Sequence, residues 1–438
     1  MTKGIEILKT TIKNPEANIM VIVDSDLDGY TSGAIILTLL KAIQKDQNIS
    51  FVLHPNKEHG IVLDDIPEDI DLIIVPDAGS SQKEEHLKLL ERGIKIIVLD
   101  HHEMENELNY GEYKNNIVII NSQEENYPNH ALSGAGVALK FVQAYCEKYG
   151  VPFMNKLYGL AACGIVADVM DMPNLENKQI VDNGLKYLIE HQFLYKLIQE
   201  AHYNVENPIP SMKDIGWTIG PNINAIIRLG TLEQKMVIFK SLVSPLSLIQ
   251  STKRGEDEEV PIYEEALRLC KNAKKRQTTA VDRSIKIIEE QLNIQKKDNA
   301  IVYVDDNQEL TFELSGLIAN KLLSQYNRPV ILLRNYNNEL RGSARGKAVD
   351  GLDNLKDLLK NITGVSKAEG HAFAFGIGVD KDNLSEFKVH LNEALSKVNF
   401  NVNLYLIDLI AKYNELNIGI ANIMSKDDVW SHGVEKPQ

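Results

Sequence analysis

Short apolar runs recur in the first 120 residues, and each of them ends in polar residues. The runs and the residues after them are 19–23 before Asp24, 72–75 before Asp77, 94–99 before Asp100, His101 and His102, and 117–120 before Asn121. Segments with a helical period, such as 32–43 and 82–92, separate the runs. Alternating strands and helices predict a parallel, doubly wound sheet. Ligands bind such sheets beyond the carboxyl ends of the strands, where these polar residues are expected.

Acidic residues alternate directly after the first run, in Asp24-Ser25-Asp26-Leu27-Asp28-Gly29. In an extended backbone residues two apart point to the same side, so the three carboxylates are expected in one small volume. Such carboxylates repel one another unless a divalent cation neutralises them. Gly29 is expected to give the backbone the freedom to turn into a helix. The stretch predicts a cation site, although alternating aspartates alone also occur in solvated loops.

Composition narrows the class of protein. The 438 residues allow more than one core, and shares of 44% apolar and 25% charged residues are typical of a soluble globular protein. The absence of a long apolar stretch or a secretory signal predicts a cytoplasmic protein. Cys146, Cys163 and Cys270 are too scattered for a disulfide framework or a thiolate site, so any metal is expected on oxygen and imidazole. A net charge of −14 argues against a surface that coats nucleic acid, but allows a local basic groove.

The rest of the chain predicts further helices and a second domain. Helical patterns cover 134–149, 155–166 and 178–191, and Asp168 lies just after the second of them. A long amphipathic helix is predicted at 263–290, in a strongly charged segment. A second alternation then follows, with strands predicted at 300–304, 330–333, 340–345 and 372–379 and helices at 313–326, 352–359 and 384–398. The predicted domains are 1–254, a connecting helix at 255–295, a smaller α/β domain at 296–398 and a tail at 399–438.

The motifs in this order resemble a known family. Asp24 to Gly29, Pro76-Asp77-Ala78-Gly79, Asp100-His101-His102 and Ala167-Asp168 look like successive motifs of the DHH phosphoesterase superfamily. Arg341-Gly342-Ser343-Ala344-Arg345 and Gly370-His371-Ala372 are similar to its DHH-associated domain. The block 214–225, followed by Arg228-Leu229-Gly230, resembles the RecJ branch of single-strand-specific 5′→3′ exonucleases. The resemblance covers about residues 18–395, and several motifs in the right order make it specific.

The resemblance implies a centre of two divalent cations. Asp26 would bind one ion, Asp28, His101 and Asp168 would bind the other, and Asp77 would bridge both. Asp24 would be a further ligand. Hard oxygen ligands with one imidazole suit Mn²⁺, with Mg²⁺ as the alternative, and two ions sharing a carboxylate can clamp a phosphoryl group.

Two residues of the histidine motif are assigned other roles. Side chains of neighbouring residues in an extended segment diverge, so His101 and His102 are not expected to bind one ion together. His102 is therefore assigned to phosphate contact or proton donation. Asp100 is expected to orient an imidazole.

Substrate contacts are expected in the C-terminal domain. Arg345 has the planar fork that binds phosphate oxygens in pairs, and Ser343 lies on the same strand face. The resemblance implies that Ser343, Arg345, Gly370 and His371 hold the scissile phosphate or the 5′ end across a cleft from the metals. Lys57 and Arg228 are further candidates for phosphate binding. Asn222 and Glu369 depart from the family pattern, because many relatives carry an arginine and a glycine there.

The implied function is cleavage of single-stranded DNA from its 5′ end, as in DNA repair and recombination, with DNA favoured over RNA and no membrane partner. A phosphodiesterase of the same superfamily that acts on short oligoribonucleotides or cyclic dinucleotides remains an alternative. A non-catalytic replication scaffold remains another, although such proteins typically lose the metal ligands kept here. The segment 428–437 looks like the start of an oligonucleotide-binding barrel, whose absence would weaken the hold on single strands.

Overall fold

The computed structural model describes residues 1–43, 48–56, 58–104, 109–124, 126–253, 255, 258–292, 299–337, 339–400, 412, 415 and 417–424. The chain divides into two compact units, residues 1–274 together with 416–438, and residues 275–415. This division falls inside the segment 255–295 that the sequence predicts as a connection, and the predicted domain boundaries stay a prediction. Lys57 and the segment 428–437 lie outside the described residues.

The first unit is built on a parallel sheet. Its strands are β1 (Asn18–Val23), β2 (Asn48–Leu53), β3 (Leu72–Pro76), β4 (Lys95–Asp100) and β5 (Ile117–Asn121). Their order is β2-β1-β3-β4-β5, and every pair is parallel. The predicted doubly wound sheet is therefore confirmed. The sequence did not predict β2, because this edge strand is partly exposed and alternates polar and apolar residues.

Helices cover both faces of this sheet. Ile19, Val21 and Val23 of β1 enter one apolar core, whereas Met20 and Ile22 enter the other. The helices of the first unit are α1 (Thr2–Thr11), α2 (Leu27–Ile43), α3 (Lys83–Glu91), α4 (Gly134–Tyr149), α5 (Leu157–Ala167), α6 (Leu175–Tyr187), α7 (Gln192–Ala201), α8 (Met212–Asp214), α9 (Gly220–Leu229) and α10 (Leu232–Val243). A π-helical turn, Ile215–Ile219, joins α8 to α9 without a break.

A short hairpin leads into the long helix. Strands β6 (Leu248–Gln250) and β7 (Glu259–Pro261) pair antiparallel, and α11 (Ile262–Leu292) follows directly. The predicted helix at 263–290 is thus one residue too short at its start and two at its end. None of the helices in the described ranges is both long and apolar enough to cross a bilayer.

The second unit has a mixed sheet. Its strands are β8 (Ile301–Asp305), β9 (Val330–Tyr336), β10 (Glu339–Arg345), β11 (Val365–His371) and β12 (Ala374–Asp380), in the order β11-β12-β10-β9-β8. Only β8 and β9 pair in parallel among these strands. The helices of this unit are α12 (Ser315–Tyr326), α13 (Leu355–Lys360) and α14 (Leu384–Ala394), whereas α15 (Ile418–Met424) is grouped with the first unit. The sequence missed β11, whose side chains are mostly polar and exposed.

Candidate metal centre

The acidic residues meet where the strand order of the first sheet reverses. β1 lies between β2 and β3, so chain connections leave β1 in opposite directions and open a crevice at its carboxyl end. Asp24 follows β1, and Asp77 follows β3. Asp77 has a φ of 67°, a left-handed conformation that a non-glycine residue adopts at a cost. The sheet topology thus brings the two motifs together.

The three aspartates of the first motif do not lie on an extended segment. β1 ends at Val23 and α2 begins at Leu27, so Asp28 lies in the first turn of a helix. The prediction of alternating side chains along a strand is wrong in this respect. Gly29 also has another role than predicted, because a Cβ there would lie 2.6 Å from Cβ and from the carbonyl oxygen of Asp24. The glycine is needed for close approach of helix and strand end.

The predicted metal ligands form overlapping groups. In each group one ligand atom per residue lies within 4.8 Å of the others. The groups are Asp24, Asp26 and Asp77; Asp28, His101 and Asp168; and Asp77, His101 and His102. Asp77 and His101 are each shared by two groups, as expected if neighbouring ions share ligands.

His101 lies among three carboxylates. Its Nε2 atom is 3.3 Å from Asp77 Oδ1, 3.5 Å from Asp168 Oδ2 and 3.9 Å from Asp28 Oδ2. The carbonyl oxygen of His101 accepts a hydrogen bond of 3.0 Å from Gln123 Nε2, which fixes the backbone. The imidazole and the carboxylates converge from different elements on one volume.

The donor set fits a divalent cation. The buried Oδ1 atom of Asp77 has no hydrogen-bond partner among the described residues. Burial, followed by the charges of Asp28 and Asp26, raises the pKa of Asp77 well above its ordinary value. Burial and the same two charges raise the pKa of Asp168 to about 8. Without a cation these carboxyl groups are therefore hard to ionise, and a divalent ion would reverse this.

Asp28 is held by the first turn of α4. Its carboxylate accepts hydrogen bonds from Ser133 Oγ at 3.0 Å, Gly134 N at 2.7 Å and Ala135 N at 3.0 Å. A carboxylate at a helix N-terminus receives free backbone N–H groups and a favourable dipole. Sequence reasoning missed this support, although Ser133 before a helical pattern is a typical N-cap signal.

Asp24 is held by a loop. His59 Nδ1 lies 2.7 Å from Asp24 Oδ2, and Gly60 N donates to Asp24 Oδ1 at 2.9 Å. His59 was not predicted from the sequence, because the loop has no regular pattern. Asp24 and His59 therefore form a pair at the edge of the metal centre.

Asp100 orients His102, as the sequence predicted that it would orient an imidazole. Asp100 Oδ1 lies 2.8 Å from His102 Nδ1, and Asp100 Oδ2 accepts from Ser80 N at 2.9 Å. Burial acts to raise the pKa of Asp100, but the bond to His102, the charges of His102 and His101 and the bond from Ser80 N together hold the pKa well below its ordinary value. Burial likewise opposes the charged form of His102, yet Asp100 raises the pKa of His102 to about 9.

The two histidine rings do not diverge as expected. Their centroids are 4.4 Å apart, and both rings reach the group that contains Asp77. The reason is that β4 ends at Asp100, whose Oδ1 accepts the backbone N–H of His101 at 2.7 Å and of His102 at 3.2 Å. The chain turns around this carboxylate, so the rule for extended segments does not apply.

Arg228 lies close to the same centre. Burial lowers the pKa of Arg228, and the negative charge of Asp26 opposes this. Arg228 is half-buried and lies within the field of a predicted ligand. Asn222, which replaces an arginine of the family pattern, donates from Nδ2 to the carbonyl oxygen of Thr218 at 2.9 Å.

The predicted substrate residues of the second unit share one end of its sheet. Arg345 of β10 and His371 of β11 both pair with Ala374 of β12, so they lie on the same face on either side of it. Ser343 pairs in the same way with Gly376 and lies 2.9 Å, Oγ to Oγ, from Ser315. Gly370, at a φ of 128°, leads into His371. The residues of β12 that face them, Ala374 and Gly376, are small.

Two domain families match this chain, one in each of its two units. Residues 18–165 match the model of the DHH family, N-terminal domain, and residues 297–397 match the DHHA1 domain. A putative SPbeta prophage-derived single-strand DNA-specific exonuclease, YorK, of Bacillus subtilis is 35% identical over 434 residues. That alignment covers 97% of this chain and 74% of YorK. The single-stranded-DNA-specific exonuclease RecJ of Haemophilus influenzae is 25% identical, with the same coverage of 97% and 74%.

Solved structures share the fold. A crystal structure of exonuclease RecJ bound to manganese superposes with a TM-score of 0.65 at 22% identity, covering 90% of this chain and 94% of that one. RecJ from Thermus thermophilus in complex with Mn²⁺ gives a TM-score of 0.73 at 22% identity, covering 99% of this chain and 60% of that one.

Proposed function

This chain belongs to the DHH family, on its RecJ-like branch, and we propose that it is a metal-dependent exonuclease that degrades single-stranded DNA from the 5′ end. The products would be 5′-mononucleotides. The observation that carries the proposal is the overlap of carboxylates and imidazole around Asp77, whose buried Oδ1 atom has no hydrogen-bond partner in the described part of the chain. The names of the relatives support DNA as the substrate and single strands as its form.

We propose that Asp26 and Asp24 hold one cation, that Asp28, His101 and Asp168 hold another, and that Asp77 serves both. Oxygen donors with one imidazole fit Mn²⁺ or Mg²⁺. When bound, such ions neutralise phosphate charge and lower the pKa of water bound to them, so that hydroxide is available at neutral pH.

The protein's own groups position these ligands. α4 fixes Asp28 through three hydrogen bonds, and the loop at His59 fixes Asp24. Because these hydrogen bonds orient the carboxylates, the ligands need little rearrangement before substrate arrives. The strained backbone of Asp77 aims its side chain into the same volume.

His102 is proposed to contact a phosphate oxygen or to donate a proton to the leaving 3′-oxygen. Asp100 pairs with Nδ1 of His102, which leaves Nε2 of His102 for the substrate. The side chain of His102 is 56% exposed. The pairing also fixes the ring orientation, as expected for a group that acts on a substrate atom. In the second unit Ser343, Arg345 and His371 are proposed to hold the scissile phosphate or the 5′ end of the strand, because they share one face of the sheet and include a planar guanidinium.

One incubation tests the proposal. The full chain with Mn²⁺ is given single- and double-stranded DNA labelled at either end, the matching RNA, and linear and cyclic dinucleotides. We expect mononucleotides to be released first from the 5′ end of single-stranded DNA. Efficient hydrolysis of dinucleotides with no action on longer strands would instead assign the chain to the small-substrate branch.

Variants link that activity to the site. Asp77→Ala and His101→Ala are expected to abolish turnover while far-ultraviolet circular dichroism stays unchanged, since both residues lie at strand ends. Rates near those of the wild type in either variant would contradict the assignment. Complete inactivity of the wild type with Mn²⁺ and with Mg²⁺ would favour the scaffold alternative.

A further inference from the structure

An exposed tryptophan lies beside the metal centre and has no role so far. The side chain of Trp217 is 81% exposed, although tryptophan is usually among the more buried residues. It lies in the π-helical turn Ile215–Ile219, a type of turn that is rare and frequent at functional sites. An exposed indole offers a flat apolar surface on which another ring can stack.

Contacts of the turn place it against the ligand-bearing helices. A Cβ built on Gly216 would lie 3.8 Å from Val166 Cγ1, and one on Gly220 would lie 3.9 Å from Ala167 Cβ and from Leu27 Cδ2. Ala167 directly precedes Asp168, and Leu27 lies between Asp26 and Asp28. The turn therefore packs next to predicted ligands of the metal centre.

The turn is also firmly held. Ser211 and Asp214 form a capping box at its start, and His202 Nε2 lies 2.6 Å from Asp214 Oδ1. Asn222 Nδ2 binds the carbonyl oxygen of Thr218 at its other end. A rigid support is what a stacking surface requires, since little conformational entropy is then lost on binding.

The same helical face carries other groups suited to nucleic acid. Trp217, Pro221, Asn224 and Arg228 follow one another at intervals of four, three and four residues, so they share one face. The Oδ1 atom of Asn224 is buried and has no hydrogen-bond partner among the described residues. Arg228 lies in the field of Asp26. An aromatic face, an amide and a guanidinium thus line up along one helical face.

We infer that Trp217 stacks on a nucleobase of the single strand bound at the metal centre, several nucleotides along the strand from the one that contacts Arg228. This inference rests on the proposed exonuclease function and adds a binding subsite to it. Along a helix the distance from Arg228 to Trp217 is about 16 Å, which equals about five nucleotides at the stacked spacing of DNA. A dinucleotide is too short to contact Arg228 and Trp217 at the same time. The subsite therefore favours longer strands over dinucleotides.

The test compares substrate lengths in Trp217→Ala, Trp217→Phe and the wild type, with Mn²⁺. For strands of about eight nucleotides we expect Trp217→Ala to raise KM about 5- to 150-fold, the range measured for loss of one stacked base, with little change in kcat. The effect on a dinucleotide should be much smaller, because a dinucleotide cannot contact Arg228 and Trp217 together, and Trp217→Phe should recover most of the affinity. Leu246→Ala, another exposed apolar residue, is the matched control. Equal effects of Trp217→Ala on short and long substrates, or none on either, would overturn the inference.

A binding measurement separates this inference from the proposed function. The chain has two tryptophans, so Trp430→Phe leaves Trp217 as the sole indole. With EDTA present to prevent cleavage, oligo(dT) should quench its fluorescence in a saturable way, and a dinucleotide should not. Quenching in a protein that shows no nuclease activity would keep the subsite and refute the exonuclease. Nuclease activity without quenching would keep the exonuclease and refute the subsite. The subsite would also be refuted if the only effect of Trp217→Ala were a loss of self-association in size-exclusion chromatography.

Discussion

Gly134→Ala should disable the metal centre through a single methyl group. A Cβ at Gly134 would overlap Asp77 Oδ1 and lie 2.5 Å from Cβ and 2.7 Å from Cα of Asp77. Carbon atoms in ordinary contact are about 3.5 Å apart or more, so Asp77 would have to retreat by roughly 0.8–1 Å. Asp77 is fully buried, and its N–H donates to Leu99 O at 2.8 Å, so it has little room.

The expected cost falls mainly on catalysis. A displacement of about 1 Å at a reacting centre lowers the rate by about 100-fold. Overpacking of a buried site also costs about 1–3 kcal/mol of unfolding free energy. The assay is kcat with saturating Mn²⁺ on single-stranded DNA, measured well below the unfolding temperature, together with thermal unfolding followed by circular dichroism.

Gly184→Ala is the matched control for overpacking. A Cβ there would lie 2.5 Å from the carbonyl oxygen and 3.1 Å from the carbonyl carbon of Tyr158, at the contact of α5 with α6. Gly184→Ala should lose a similar amount of unfolding free energy and keep kcat within a few-fold of the wild type. The reasoning fails if Gly134→Ala keeps wild-type kcat, or if both variants lose activity equally.

Three further outcomes are expected. Val169→Gly should raise the unfolding free energy by about 0.5–1 kcal/mol, because Val169 adopts a strained φ of 57° after the end of α5. An unchanged or lower melting temperature would refute this strain. Burial lowers the pKa of His86 to about 4, so the unfolded chain binds more protons between pH 6.5 and 4 and stability falls as the pH drops through that window. His86→Leu should flatten this part of the pH profile, and an unaltered slope would exclude His86 as its source. Arg345→Ala should raise KM for single-stranded DNA about tenfold or more with little change in kcat. Arg341→Ala is the control, because Arg341 lies on the same β-strand but is paired with Glu339, and it should leave KM unchanged. Equal effects of the two substitutions would exclude a specific role for Arg345.

The first sheet was largely predictable because its central strands are buried on both faces. Such strands are continuous apolar runs, and these ended where the structure ends β1, β3, β4 and β5 to within one residue. The edge strand β2 and the polar strand β11 were not found. Both derive their stability from backbone pairing with a neighbouring strand more than from an apolar pattern, and that neighbour is not visible in a local stretch of sequence.

The candidate site was predictable in its residue types but not in its construction. The motifs named the carboxylates and His101, and the structure brings them within reach of common ions. The extended geometry expected for Asp24 to Asp28 was wrong, because the chain enters a helix after Asp26. The supports from Ser133 and His59 were missed, since each comes from an element distant along the chain.

The sequence by itself determined where buried strands end, because a strand buried on both faces requires consecutive apolar residues. It thereby determined which acidic residues follow the carboxyl ends of the strands. It also determined the family, through the order of short motifs. The tertiary structure alone decided that β1 lies beside β3, so that Asp24 and Asp77 face one crevice. The tertiary structure alone also decided that the N-terminus of α4 donates hydrogen bonds to Asp28. It further decided that Trp217 is exposed, in a turn that packs against the end of α5 just before Asp168. These are contacts between segments far apart in the chain, and their energy depends on packing that no local pattern of residues encodes.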